Sequence, residues 1–175
     1  MNTLVIVSHP YADQSKITQA LEQSIANLEH VTVRNLEKLY GNKPTAFDIK
    51  AEQAAYEGID RVVFLFPIHW FNITPMLKAY LNEVWTYGWA FGPEGTALKN
   101  KEMLIVSSAG ASEHTYSKEG LIQSTVEDIF IPMKATALYV GMKYLPPLTL
   151  HNAMAITDEQ LLAFKESFIS AIKTV

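Results

Sequence analysis

The chain has 175 residues, 49% of them hydrophobic and 18% charged, a net charge of −4 and no cysteine. That length allows one domain with a sizeable core, and the missing cysteine excludes disulfides, thiolate metal sites and cysteine nucleophiles. A mildly acidic chain whose only arginines are Arg34 and Arg61, with no Lys/Arg-rich run, excludes an electrostatic nucleic-acid footprint and bidentate capture of many phosphates.

Residues 4–7 form a short β-branched run that predicts a buried parallel strand, broken by His9-Pro10. Residues 15–29 then place Ile17, Leu21, Ile25 and Leu28 at helical spacing. A second strand is predicted over 31–36. A loop follows over 38–50, around Gly41 and Pro44, then a short helix over 51–56 that stops at Gly58. The third strand covers 61–66. Thr74-Pro75 supplies an N-cap and a first-turn proline for a helix whose apolar face is Met76, Leu77, Tyr80, Leu81, Val84 and Trp85. Gly88 ends it, and residues 88–101 are a loop rich in glycine and aromatic rings. The fourth strand covers 102–106, with a loop of small polar residues over 107–119 and a helix over 125–140. A fifth strand over 144–150 contains Pro146-Pro147, which suits a sheet edge. The last helix opens at Thr157-Asp158-Glu159 and is amphipathic through Leu161, Leu162, Phe164, Phe168 and Ile172.

Strand and helix alternate five times without repeat or linker. The expectation is a single α/β domain over 1–175, a three-layer sandwich with a five-stranded parallel sheet and helices on both faces. Right-handed crossovers favour the strand order 2-1-3-4-5, with the ligand crevice at the switch between strands 1 and 3. The amino terminus lacks a basic region and a cleavage pattern, and no run reaches the ~18 apolar residues of a membrane span. A cytoplasmic protein is expected.

That topology brings the loops after strands 1, 3 and 4 to one sheet end. The first contains His9, Ser15, Lys16, Ile17 and Thr18 and feeds a helix start, where amides and the helix dipole favour an anion. Ser15 equally suits an N-cap, and the two roles are compatible. The second, Pro67-Ile68-His69-Trp70-Phe71, offers amides and rings to a planar heterocycle, although Trp70 and Phe71 also suit a core or a dimer interface. The third, Ser107-Ser108-Ala109-Gly110, is small enough for close backbone approach, or for a plain surface turn. Together they describe a flat ring with a phosphate tail, which fits flavin mononucleotide (FMN). No metal site is expected.

These segments carry a resemblance: Ser8-His9-Pro10 with Ser15, Pro67-x-x-Trp70-Phe71 with Pro75 and Lys78, Gly88-Trp89-Ala90-Phe91-Gly92, Gly95-x-x-Leu98, Ser107-Ser108-x-Gly110, and Leu145-Pro146-Pro147. Over essentially its whole length the chain resembles the flavodoxin-like NAD(P)H quinone oxidoreductases of the DT-diaphorase superfamily. The small bacterial branch that includes the ancillary flavoprotein of glutathione-gated potassium efflux systems is the nearest in pattern. The resemblance implies a flavodoxin-like fold, FMN (or, less favoured, FAD), NAD(P)H as co-substrate, two-electron reduction of a quinone or similar aromatic acceptor in ping-pong order, and a homodimer with sites at its interface. It implies that His9 and residues 15–18 hold the phosphate side, that residues 67–71 lie along the flavin ring, and that residues 107–110 face its pyrimidine end. Tyr116, with His114 as a proton-relay candidate, is the catalytic assignment, and Trp89 and Phe91 line an acceptor slot, with contribution from a second subunit open. Three positions depart from the pattern: Thr18 for Asn, Ala109 for Gly and Asn100 for Gly. The chain also lacks the C-terminal extension that helps larger relatives hold an adenosine tail, which favours FMN. A regulatory subunit that gates a potassium efflux transporter is the alternative function, and a one-electron carrier a third.

Overall fold

Three buried strands, β1 (Thr3–Val7), β3 (Arg61–Pro67) and β4 (Glu102–Ser108), form the middle of a parallel sheet, with β2 (Val31–Asn35) at one edge. The other edge consists of two short strands, β5 (Lys143–Tyr144) and β6 (Leu148–Leu150), each parallel to β4. The computed structural model of the protein describes residues 1–173. The order β2-β1-β3-β4-β5 is the one expected from the sequence, with β6 as an addition. The expected single strand over 144–150 is split by Pro146-Pro147, which have no N–H to give a ladder.

Helices flank both faces: α1 (Lys16–Ile25), α2 (Leu36–Tyr40), α3 (Ile49–Ala54), α4 (Pro75–Val84), α5 (Val126–Ile129), α6 (Ile131–Tyr139) and α7 (Asp158–Lys173). Strand side chains alternate between two cores, as the period-2 pleat requires. Val5, Val7, Val63, Leu65, Leu104 and Val106 pack on α1 and α7. Leu4, Ile6, Val62, Phe64, Met103 and Ile105 pack toward α4 and α6. Several boundaries differ from expectation: β4 runs on to Ser108, so Ser107 and Ser108 are strand and not loop, and the helix expected over 51–56 is α3. Part of the expected 38–50 loop is helical, because Asn35 caps α2 and Asp48 caps α3. The helix expected over 125–140 is interrupted near Phe130, where Pro132 cannot donate to a preceding carbonyl. And α1 ends at Ile25, four residues before Glu29.

Both arginines belong to the scaffold. Arg34 donates to the fully buried Glu52 carboxylate from Nε (2.8 Å) and Nη2 (2.5 Å). Glu52 also accepts from the Tyr40 and Tyr80 hydroxyls, at 2.5 and 3.2 Å, which locks α3 against β2 and α4. Arg61 donates to Glu102 and to the Ala171 carbonyl, anchoring α7 at the opposite sheet end from the three loops. Among the described residues no helix is long and apolar enough to cross a membrane, and no cluster of His, Asp and Glu is arranged to hold a metal.

Candidate active site

The loops after β1, β3 and β4 line one cleft of about 620 Å³ at the carboxyl ends of the strands, within the usual size of a cofactor site. A turn outside the three expected loops, Ala153–Ala155 between β6 and α7, adds Ala153 and Met154 to its wall, and Ile156 follows. The β1 end is tied to the α4 start beneath this cleft. Ser8 and Thr74 share a 2.5 Å hydrogen bond, Thr74 Oγ1 caps α4 at Leu77, and Ser8 Oγ donates to Glu37 at 2.9 Å. Burial pushes the Glu37 carboxyl up.

At one end of the cleft, His9, Ser15, Lys16 and Ile17 line the wall. Ser15 Oγ accepts from the Thr18 amide (3.2 Å) and donates to Thr18 Oγ1 (3.0 Å), so these two hydroxyls serve each other. Thr18 is buried and does not line the cleft. The amides of Lys16 and Ile17, in the first turn of α1, make no hydrogen bond among the described residues, as helix starts require. His9 Nδ1 accepts from the Tyr11 amide at 3.0 Å, so the neutral ring carries its proton on Nε2. Burial, then the neighbouring His69, hold the His9 ring below its ordinary value. The Lys16 ammonium lies 2.6 Å from Asp158 at the start of α7, both well exposed.

In the middle, the chain turns back on itself. His69 N–H donates to Asn72 O and Asn72 N–H to His69 O, both at 2.9 Å. Between them Trp70 (φ 45°) and Phe71 (φ 59°) take left-handed backbone. This is the geometry of a type I′ turn, normally built from Asn and Gly, here carrying two bulky rings. Trp70 is 93% exposed. The Phe71 ring lies 6.1 Å from that of Tyr116. The Ile68 amide is spent on Ser108 O (2.8 Å) and the His69 amide on Asn72, so of residues 68–71 only Trp70 and Phe71 keep an N–H without an acceptor among the described residues. Pro67, Ile68 and His69 line the cleft, and the Trp70–Phe71 turn projects beyond it.

At the third end, Ser108 and Gly110 line the cleft. Of the amides at 109 and 110, one is available. Ala109 is fully buried, with its N–H on Leu150 O at 2.8 Å, and only the Gly110 N–H lacks an acceptor among the described residues. Ser107 is also buried, its hydroxyl 2.8 Å from Thr149 Oγ1. His114 lies exposed on a short 3₁₀ turn, away from Tyr116's packing. The ring beside Tyr116 is instead His151, at 5.5 Å. His151 Nδ1 is sealed from solvent without a hydrogen-bond partner among the described residues, and burial lowers its pKa while raising that of Tyr116. His151 follows β6 at the same sheet end as the other loops. That placement was the signal available in the sequence, once the second edge strand was recognised.

Trp89 and Phe91 do not line this cleft. Trp89 packs edge-on against Tyr56, 5.3 Å between ring centres. Phe91 lies 5.8 Å from Tyr87 and 5.9 Å from Tyr139, in a separate groove of about 550 Å³ with Lys78, Leu81 and Trp85. Gly95 holds the loop around them closed, since a Cβ there would collide with the Phe91 backbone.

A family described by its flavodoxin-like fold matches residues 1–171. The chain is 34% identical, over 100% of its length and 88% of the relative's, to the uncharacterized NAD(P)H oxidoreductase YdeQ of Bacillus subtilis. It is 34% identical, over 91% of its length and 88% of the relative's, to the glutathione-regulated potassium-efflux system ancillary protein KefF of Klebsiella aerogenes. Among solved structures, general stress protein 14 of Treponema denticola in complex with FMN superposes with a TM-score of 0.91 at 32% identity, covering 98% of each chain. An NADPH-quinone reductase from P. pentosaceus gives 0.91 at 26% identity, covering 100% of this chain and 99% of the other. A structure described as a thermophilic tryptophan halogenase from Streptomycin violaceusniger gives 0.94 at 32% identity, covering 98% and 99%. One backbone therefore carries several activities among these proteins, and superposition alone does not choose among them.

Proposed function

The chain belongs to the flavodoxin-like family, and on that premise we propose that it is an FMN-dependent NAD(P)H oxidoreductase that reduces quinones or similar aromatic acceptors. The observation that carries this reading is the placement of acceptor-free amides. Those of Lys16 and Ile17, of Trp70 and Phe71, and of Gly110 belong to three loops around one cleft. The relatives named as NAD(P)H oxidoreductases and the FMN complex of general stress protein 14 support it.

The donor set fits FMN. A phosphate monoester suits the α1 start, where two amides, the helix dipole and His9 Nε2–H meet and no acidic side chain lines the cleft. A planar ring suits the middle, where Pro67 and Ile68 give an apolar wall and the Trp70 and Phe71 amides are available. The pyrimidine edge suits the Gly110 amide, with Tyr116 close behind through Phe71. When bound, FMN supplies the chemistry of accepting two electrons as hydride from NAD(P)H and passing them to the acceptor. The chain supplies position and charge. The fixed Gly110 amide would stabilise negative charge at the pyrimidine edge without reorganising. Tyr116 and His151, 5.5 Å apart, would be the polar pair behind that edge, with His151 in the proton-relay role expected of His114. Donor and acceptor enter by the same opening, so they bind in turn, in ping-pong order.

We assign the groove around Tyr87, Phe91 and Tyr139 to a second copy of the chain. Exposed Tyr87 and Tyr139, with Phe91, Leu81 and Trp85 in the same groove, give it the apolar character of an interface, and Trp89 and Phe91 then serve the partner's acceptor slot. Light scattering that finds only monomer at micromolar concentration overturns this part. The likeness to KefF supports a second role as regulatory subunit of a potassium efflux transporter. Retention by the transporter's cytoplasmic domain tests it.

The main test is the absorption spectrum of the purified protein. We expect a yellow protein that bleaches with NADH or NADPH and recovers colour on adding a simple quinone. A colourless protein that takes up no FMN refutes the flavoenzyme reading.

A further inference from the structure

The chain has no cysteine, so its six methionines hold all of its sulfur. Four of them, Met76, Met103, Met133 and Met142, are core residues, 0–4% exposed. Met1 is 37% exposed and stands with Val31 and Ile172 at the sheet end opposite the cleft. From Met1 to the cleft end of β1 the extended chain covers roughly 20 Å. Met154 differs from the other five: it is 91% exposed and lines the cleft.

The backbone beneath Met154 is fixed. The Ala109 N–H donates to Leu150 O (2.8 Å), the Asn152 N–H to Ala111 O (3.0 Å) and the Ala153 N–H to Ala109 O (3.0 Å), which lace this turn to the loop after β4. On the other side, Thr157 and Gln160 cap each other at the start of α7, through bonds of 3.0 and 3.2 Å. The thioether is thus held at the cleft, in one lining with the apolar side chains of Ile17, Pro67, Ile68 and Ile156.

We propose that Met154 is an oxidation site: hydrogen peroxide formed in the cleft converts its thioether to the sulfoxide, and the sulfoxide loosens the cleft's hold on its cofactor. This rests on the FMN reading. Two electrons and two protons that reach dioxygen, instead of the organic acceptor, give one hydrogen peroxide. A lone pair of the Met154 sulfur attacks one peroxide oxygen, and the O–O bond breaks. That oxygen stays on sulfur, which is oxidised by two electrons. The other leaves as hydroxide, takes the proton released by the first and becomes water. An apolar, flexible side chain has then become a polar one, and the apolar contact it offered a ligand is weakened. Peroxide released in the cleft meets Met154 before it is diluted. Met1 meets only what has mixed with the solution, so position as well as exposure separates the two.

The test is peptide mass spectrometry of the FMN-loaded protein after it has oxidised NAD(P)H in air without a quinone. Met154 should carry sulfoxide, and the four core methionines should stay reduced. Catalase in the solution, which destroys dispersed peroxide, should protect Met1 and leave most of the Met154 sulfoxide. Hydrogen peroxide added to the apoprotein should also oxidise Met154 first. Fluorescence quenching should then show an FMN affinity about three- to tenfold lower, restored by a methionine sulfoxide reductase. Met154→Leu keeps an apolar side chain without sulfur, and its FMN affinity should be the same before and after peroxide. A Met154 that stays reduced during turnover, oxidation that catalase abolishes, an FMN affinity unmoved by the sulfoxide, or a Met154→Leu protein that loses affinity to peroxide as the wild type does overturns the proposal. A protein that takes up no FMN overturns the flavoenzyme reading instead, and the apoprotein's reaction with peroxide still reports on Met154 by itself.

Discussion

Replacing Trp70-Phe71 by Asn-Gly should make the apoprotein more stable and a poorer flavin binder. Both residues hold left-handed backbone, φ 45° and 59°, which costs a non-glycine residue about 1–2 kcal/mol, or roughly 2–4 kcal/mol for the turn. Asn-Gly adopts this turn with little strain. Two losses offset the relief. Glycine forfeits about 0.5–1 kcal/mol in unfolded-chain entropy. Half-buried Phe71 forfeits about 1 kcal/mol of burial, whereas Trp70, at 93% exposed, buries almost nothing. The net is a gain of about 1 kcal/mol, within a range of roughly 0–2.5, and a rise in Tm of about 2–4 °C for a chain of this size. Thermal melts by circular dichroism without flavin, with FMN affinity by fluorescence quenching, read both effects. Affinity should fall at least about tenfold, equivalent to 1.4 kcal/mol, as both rings leave the site. An apoprotein that melts more than about 4 °C lower would show that the turn is not strained. Unchanged FMN affinity and quinone turnover would show that the rings play no part in the site. Strain of this kind persists where function needs the geometry.

Glu52→Gln should destabilise the fold by about 3–5 kcal/mol, because it leaves the Arg34 guanidinium without its buried counter-charge. Urea unfolding checks this, and the folded fraction should bind FMN normally. Tyr116→Phe should leave Tm within about 1 °C, since the hydroxyl makes no hydrogen bond among the described residues, but should lower quinone turnover about 10²-fold if the hydroxyl serves the pyrimidine edge. An unchanged kcat assigns Tyr116 to packing alone. Initial rates at several fixed NAD(P)H concentrations should give parallel double-reciprocal lines, and intersecting lines refute the shared opening.

Much of the scaffold was legible from local pattern. Each central strand is a short β-branched run because both its faces are covered, and each helix declares one apolar stripe. The capping of α4 by Thr74, with Pro75 in its first turn, was readable residue by residue. The less legible elements were those decided by single contacts, such as the Asn35 and Asp48 caps that turn part of an expected loop into α2 and the start of α3. The three loops of the cleft could also be named, because strand order fixes which loops share a sheet end.

The sequence by itself determined the strand order and which loops meet, since periodicity, β-branching and crossover handedness are properties of short segments. Tertiary structure alone decided which atoms of those loops remain available. The Ala109 amide is consumed by Leu150, the Ile68 amide by Ser108, and the Ser107 hydroxyl by Thr149. His151 rather than His114 meets Tyr116, and Trp89 and Phe91 sit on another face. The physical reason is that a hydrogen bond belongs to a pair. Whether an N–H is free for a ligand depends on an acceptor that is often dozens of residues away, and only the packed chain brings the two together.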